Sequence, residues 1–380
     1  MKKNYFLLLL LTAILPMTGW CADGDTFTAT YKGVSLTYTI LSESEKTCET
    51  GTQSTLASGA NVTIPSTING YIVTGIGYRS FRQKTLKSIS IPSSVISIGT
   101  EAFEGCSSLS SVTMSNGVQT IEWQAFKDCT SLTTVSIPGS VKDIGGESFR
   151  DCKKLTSVTI SNGVENIYSK AFNGCTSLSS ISFPNTIVSM PTDAVYGTLW
   201  YTNLPEGLTY VGKVALTYKG TFSGSLTIKN GTLSIADGAF VGNQMTSVSF
   251  PNSLISIGNH AFRGCTCLKS VYLPNTITSL GDYTFSGCTG LKSVYLPDAI
   301  TSLGNYVFSG CTGLSSIYLP AGITSLGDYA FERCTGLTTF SIPSNVTIGK
   351  YLLSDCTGLT SVTFENGVTK ISDGILYGCI

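Results

Sequence analysis

The chain has 380 residues with 23 basic and 23 acidic side chains, a formal net charge of zero, and only 12% charged residues. Without a basic block it lacks the phosphate-neutralising surface of a nucleic-acid binder. Its 40 glycines, and the Ser and Thr between most apolar positions, predict a surface that is polar but weakly charged.

Residues 1–22 read as an export signal. Lys2 and Lys3 precede the apolar run Phe6 to Leu15, Pro16 breaks it, and Gly19, Cys21 and Ala22 offer a cleavage region. The run is about half of the roughly 20 residues that a spanning helix needs. Cys21 opens a lipoprotein alternative, but Trp20 stands where that processing wants a small residue. The expected location is the cell surface or the extracellular space. Residues 23–59 differ in composition from the remainder of the chain. Thr26 to Tyr31 and Val34 to Ile40 alternate on either side of Lys32-Gly33, which predicts a hairpin-like N-terminal cap over the first layer of a stack.

Beyond the cap the cysteines keep time. Cys106, Cys129, Cys152 and Cys175 stand 23 residues apart, Cys265, Cys288, Cys311 and Cys334 repeat the interval, and Cys356 and Cys379 come at 22 and 23. Gln83 and Asn243 take the cysteine slot in other layers. Such a period marks a stacked-repeat protein, which can be one body at this length. The unit from Cys288 places Leu291, Val294 and Leu296 inward on a short strand, which Pro297 ends because it lacks an N–H and fixes φ. Ile300 and Leu303 form a second inward pair, Gly304 permits a turn, and Tyr306-Val307-Phe308 is expected to make a helical turn whose Phe closes the layer. The fold expected is a repeat solenoid of leucine-rich-repeat type. Short parallel β-strands, one or two per layer of about 23 residues, stack with turns and short helical turns.

Repeats fill residues 60–190 and 221–380. Between them the rhythm breaks, since Cys175 and Cys265 lie 90 residues apart where four periods need 92. Residues 191–220 read as an irregular insertion with short strands on or beside the stack, Trp200 and Tyr201 anchoring it. No polar cap comes after Cys379-Ile380, so self-association through that end is expected.

The string C-x-x-L-x-x-V-x-L-P-x-x-I-x-x-L-G-x-x-x-F resembles the BspA-like, treponemal-type bacterial leucine-rich repeat proteins over residues 60–380. It departs from the common leucine-rich repeat in having Pro where that repeat has Asn. The resemblance implies an exported, non-enzymatic, adhesin-like surface protein that binds other proteins, host matrix components or neighbouring cells among them.

Little in the chain suggests chemistry. The regular cysteines are close enough in neighbouring layers for disulfides, but side chains that all point the same way bridge poorly, so buried thiols acting as small apolar fillers are favoured. Cys265-x-Cys267 is the only close pair and His260 the only histidine, too few for a zinc site. His260 reads as a variable exposed residue. No Gly-x-Ser-x-Gly turn accompanies it, and Gly75-Ile76-Gly77 lacks the third glycine of a dinucleotide motif. No catalytic, metal or cofactor-binding residue is expected, and no cofactor.

Tyrosine exceeds what a scaffold requires. Tyr272, Tyr295 and Tyr318 stand in three successive layers where others have Ser or Thr. Strand alternation points them outward, on the face that is concave in leucine-rich repeats, with Lys269 and Lys292 flanking two of them. A second row, Tyr283, Tyr306 and Tyr329, falls before the inward Phe on another side. Tyrosine gives large contact area and a hydroxyl at low entropic cost, which suits recognition of a protein. The alternatives are a glycan stacked on the rings, a structural self-associating surface layer, and a tyrosine copied by duplication and kept by ring packing.

Overall fold

The computed structural model describes residues 22–52, 56–368 and 370–379. Apart from Ala22, the export signal read in residues 1–22 lies outside the described residues. The chain winds as a parallel β-solenoid in which each layer hides its apolar residues only against its neighbours.

Three sides make up a layer. On the first, short strands pair in parallel one period apart, as in Thr134–Ile137, Ser157–Ile160 and Ser180–Ser182, with Val135 opposite Val158 and Val158 opposite Ile181. Alternation buries every second residue, and the leucine before each strand is also buried. The second side is narrower. Two-residue strands such as Ser279–Leu280, Ser302–Leu303 and Ser325–Leu326 run in register, each burying its apolar residue.

The third side is where expectation and structure part. Tyr306-Val307-Phe308 is not helical, because Tyr306 has φ +55°, in the left-handed region where an L-residue cannot continue a right-handed helix. Successive turns bring the backbone around, and Phe285 N donates to Val307 O and Phe308 N to Ala330 O, at 2.9 and 2.8 Å. These bonds point to the next layer, whereas Gly304 N on the second side donates back to Leu280 O. Every layer is thus tied in both directions. Gly304 also has another role than the one expected: its φ is not positive, but a Cβ there would sit 2.7 Å from both the backbone N and Oδ1 of Asp282.

Phenylalanines close the layers and stack on one another. Phe81, Phe103, Phe126, Phe149 and Phe172 lie 4.9–5.4 Å apart, ring to ring, and Phe240, Phe262, Phe285, Phe308 and Phe331 repeat this at 5.0–5.7 Å. Each such buried ring contributes about 1.5–3 kcal/mol.

The first layer is covered by antiparallel strands. Thr26–Tyr31 pairs with Val34–Ser42 around Lys32 and Gly33, both at positive φ as a two-residue hairpin turn demands. A third strand, Thr47–Thr50, joins this hairpin to Tyr71–Ile76 of the stack.

Between the Phe stacks the layer plan changes gradually. Phe172 N still donates to Ala194 O, with Val195 in the Phe slot and Thr198 in the cysteine slot, both buried. Leu199–Thr202 then makes one helical turn capped by Thr198, and Trp200 packs edge-on against Phe183 at 5.2 Å. Gly207–Val211 and Val214–Lys219 form a hairpin whose second strand pairs in parallel with Ser234–Ile235. That strand is a rung of the second side. The buried side chains accordingly form two contiguous clusters, one from Leu36 to Ala236 and one from Ala215 to Ile375.

Candidate functional site

Tyr272 and Tyr295 sit on the first side at the ends of Ser270–Tyr272 and Ser293–Tyr295, with Val271 and Val294 buried between. Their rings stack at 4.2 Å, nearly parallel. Tyr318 differs. Residues 314–320 carry no strand, and a cleft of about 210 Å³ opens between Tyr295 and Tyr318, lined also by Ser293, Leu296, Ser316 and Ile317. Tyr272, Tyr295 and Tyr318 are 58%, 52% and 71% exposed. Lys269 and Lys292 are exposed beside them, and Lys292 N donates to Lys269 O. The face is therefore a stacked pair, a cleft and a lone ring.

Tyr283, Tyr306 and Tyr329 form a separate row on the third side, half-buried, with ring centroids 4.6–4.7 Å apart. The row is longer than the sequence suggested. Tyr351 extends it at 5.0 Å, and His260 begins it, stacked on Tyr283 at 4.7 Å. His260 is thus not a variable exposed residue but the first ring of the row. All five residues lie at φ between +55° and +57°. In the first repeat block the same slot holds Arg79, Glu101, Gln124, Glu147 and Lys170, also at positive φ. There Arg79 grips Glu101 at 2.7 and 3.0 Å, and Gln124 donates to Glu147 at 2.7 Å. The Arg79 hydrogen bond holds the Glu101 carboxyl below the usual range. One backbone slot thus holds charged or amide side chains in one block and rings in the other.

Beside the aromatic row runs a ladder that sequence reading missed. Asp237 Oδ1 accepts from Asn259 N, Asn259 Oδ1 from Asp282 N, Asp282 Oδ1 from Asn305 N, Asn305 Oδ1 from Asp328 N and Asp328 Oδ1 from Lys350 N, all at 2.7–2.8 Å. Asp and Asn alternate. Carboxylates in adjacent layers would repel at roughly 4.8 Å, and a neutral Asn between them doubles that distance. The Asp or Asn after Gly258, Gly281, Gly304 and Gly327 was the available signal.

The cysteines form a third ladder. In ten layers the thiol donates to a main-chain carbonyl of the layer before, Cys106 to Phe81, Cys288 to Phe262, Cys311 to Phe285 and so on to Cys379 and Leu353, at 2.9–3.2 Å. They are fillers with a hydrogen bond. No disulfide joins the described cysteines. Burial pushes Cys106, Cys265 and Cys356 up to about 12.

With three differently surfaced sides wound around Leu, Ile and Phe, the family can be assigned. The sequence profile described as BspA type leucine rich repeat region, six copies, matches residues 74–200, 198–304 and 256–380. The chain belongs to the BspA-type leucine-rich repeat family. Among solved structures it is similar to a leucine rich cell surface protein from Faecalibacterium prausnitzii, at 26% identity over 90% of this chain and 96% of that one, TM-score 0.40. It is also similar to a leucine-rich repeat protein from Bacteroides ovatus, at 27% identity over 91% of each chain, TM-score 0.40. A leucine-rich repeat protein of T. pallidum shares 24% identity over 74% of this chain and 88% of that one, TM-score 0.30. No curated protein matches the chain.

Proposed function

We propose that this BspA-type protein is an exported, non-enzymatic scaffold, held at the cell surface or released, that binds a protein partner on the face carrying Tyr272, Tyr295 and Tyr318. The observation that carries the reading is the exposure of these three rings in consecutive layers. The corresponding residues of the other strands, such as Ser136, Thr159 and Ser341, are small. Burying such rings against a partner rewards binding, and two of them are already ordered by stacking, which lowers the entropic cost. Lys269 and Lys292 supply a basic margin for an acidic partner surface. The apolar leader, the family and the weak surface charge support export, and a matrix or cell-surface protein is the partner class proposed.

A triple variant with Tyr272, Tyr295 and Tyr318 changed to Ser tests this. Against a panel of immobilised extracellular-matrix proteins, the wild type is expected to bind and the variant to lose at least about tenfold in affinity, the effect of roughly 1.4 kcal/mol. Its stability should fall by no more than one exposed stacked pair is worth, about 0.5–1.5 kcal/mol, leaving the fold intact. Undiminished binding by a folded variant would remove the site.

A further inference from the structure

Where the two blocks meet, one rung of the stack is incomplete. Ser234 Oγ donates to Val188 O at 2.7 Å and Thr192 Oγ1 to Asp237 O at 2.7 Å, contacts between residues 46 and 45 apart, two periods rather than one. The intervening rung supplies only the start of Val214–Lys219, which continues into the hairpin instead of turning the corner. The missing corner leaves a cleft of about 230 Å³ between Ser189 and Pro191 on one side and Asp237 and Ser256 on the other, with Tyr168 also in its lining. That is below the ~300–1,000 Å³ of sites for drug-sized ligands and suits one small ring.

Its lining is that of a polyol site. Asp237 lines the cleft and is exposed; its Oδ1 accepts from Asn259 N, and no hydrogen bond to its Oδ2 is seen among the described residues. Burial pushes the Asp237 carboxyl up, the Asn259 N–H pulls it back, and the Asp193 carboxylate raises it again against His260. A carboxylate in the lining accepts charge-assisted hydrogen bonds from ligand hydroxyls. Ser189 and Ser256, both exposed, add free hydroxyls. An aromatic shelf leads away from the cleft. Tyr168 and Trp123 are 51% and 47% exposed, and both overhang Gly146, where a Cβ would lie 3.4 Å from Trp123 Cδ1 and 4.0 Å from Tyr168 Cβ. Aromatic faces of this kind stack on the C–H faces of sugar rings. Asp237 in the lining, Asp193 acting on it and Asp143 beside Tyr168 disfavour anionic sugars.

We propose that the cleft beside Asp237 binds one pyranose ring of a neutral glycan whose chain runs across Tyr168 toward Trp123. This site is separate from the tyrosine face of the second block. Saturation-transfer NMR and calorimetry with the methyl glycosides of glucose, galactose and mannose, and with cello-oligosaccharides of increasing length, test it. At least one glycoside should bind weakly, and longer chains more tightly. Asp237→Asn, which keeps the volume and an acceptor for Asn259 N, should weaken binding about tenfold, as loss of a charge-assisted hydrogen bond does. Ser189→Leu, at an exposed position, should block the cleft without lowering the melting temperature. Trp123→Ala should leave the monoglycoside unaffected and abolish the gain from chain length. The triple Ser variant of Tyr272, Tyr295 and Tyr318 should bind these sugars as the wild type does. Failure of every glycoside to bind the wild type, or wild-type binding by both Asp237→Asn and Ser189→Leu, would overturn the proposal.

Discussion

Gly304 and the cysteines show how much of the fold is decided within single side chains. A Cβ at Gly304 would collide with the Asp282 N–H and carboxylate, so the glycine is there to let one layer approach the next. Gly304→Ala should cost about 1–3 kcal/mol by overpacking, read as a lowered denaturant midpoint. The thiols predict a pH dependence. Unfolded cysteines ionise near 9.0, whereas Cys106, Cys265 and Cys356 in the folded chain do so only at about 12. Their contribution to stability is complete below pH 9 and is lost as pH rises through that window, because only the unfolded state gains by releasing protons. Melting temperature should therefore be insensitive to these groups near neutrality and fall between pH 9 and 12, with a shallower fall in Cys→Ala variants. An equal slope in those variants would assign the effect elsewhere. That the cysteines face inward was legible from their period. Their bond to the preceding layer's carbonyl was not, because it depends on the register of turns that no side-chain pattern records.

At the scale of the element, the left-handed slot on the third side sets a favourable and an unfavourable term against each other. A non-glycine residue there costs ~1–2 kcal/mol. Tyr306 offsets this by stacking on both Tyr283 and Tyr329, each pair worth about 0.5–1.5 kcal/mol. Tyr306→Ala loses both stacks and keeps the strain, whereas Tyr306→Gly loses the stacks and relieves the strain. The order of melting temperatures should be Tyr, then Gly, then Ala, and an Ala variant at least as stable as Gly would refute this account of the row. The strands themselves were readable from the L-x-x-V-x-L spacing. The slot was hidden, since Arg79, Glu101, Gln124, His260 and Tyr306 share a backbone conformation and no chemistry. For that reason the turn around Tyr306 was expected to be helical and His260 to be variable.

At the scale of the whole molecule, the repeat predicted the stack but the junction of its blocks could not be read. The cleft at Asp237 exists because Val214–Lys219 serves as both rung and hairpin, a long-range arrangement without a local signature. Each layer is stabilised only by its neighbours, so stability is a sum of nearest-neighbour contacts. Native-state hydrogen exchange on a Leu291→Ala variant, which should cost about 2–5 kcal/mol, tests this most directly. Protection should fall in the layers around residues 265–320, the effect fading with distance and leaving residues 61–190 as protected as in the wild type. An equal loss of protection along the entire chain would contradict it.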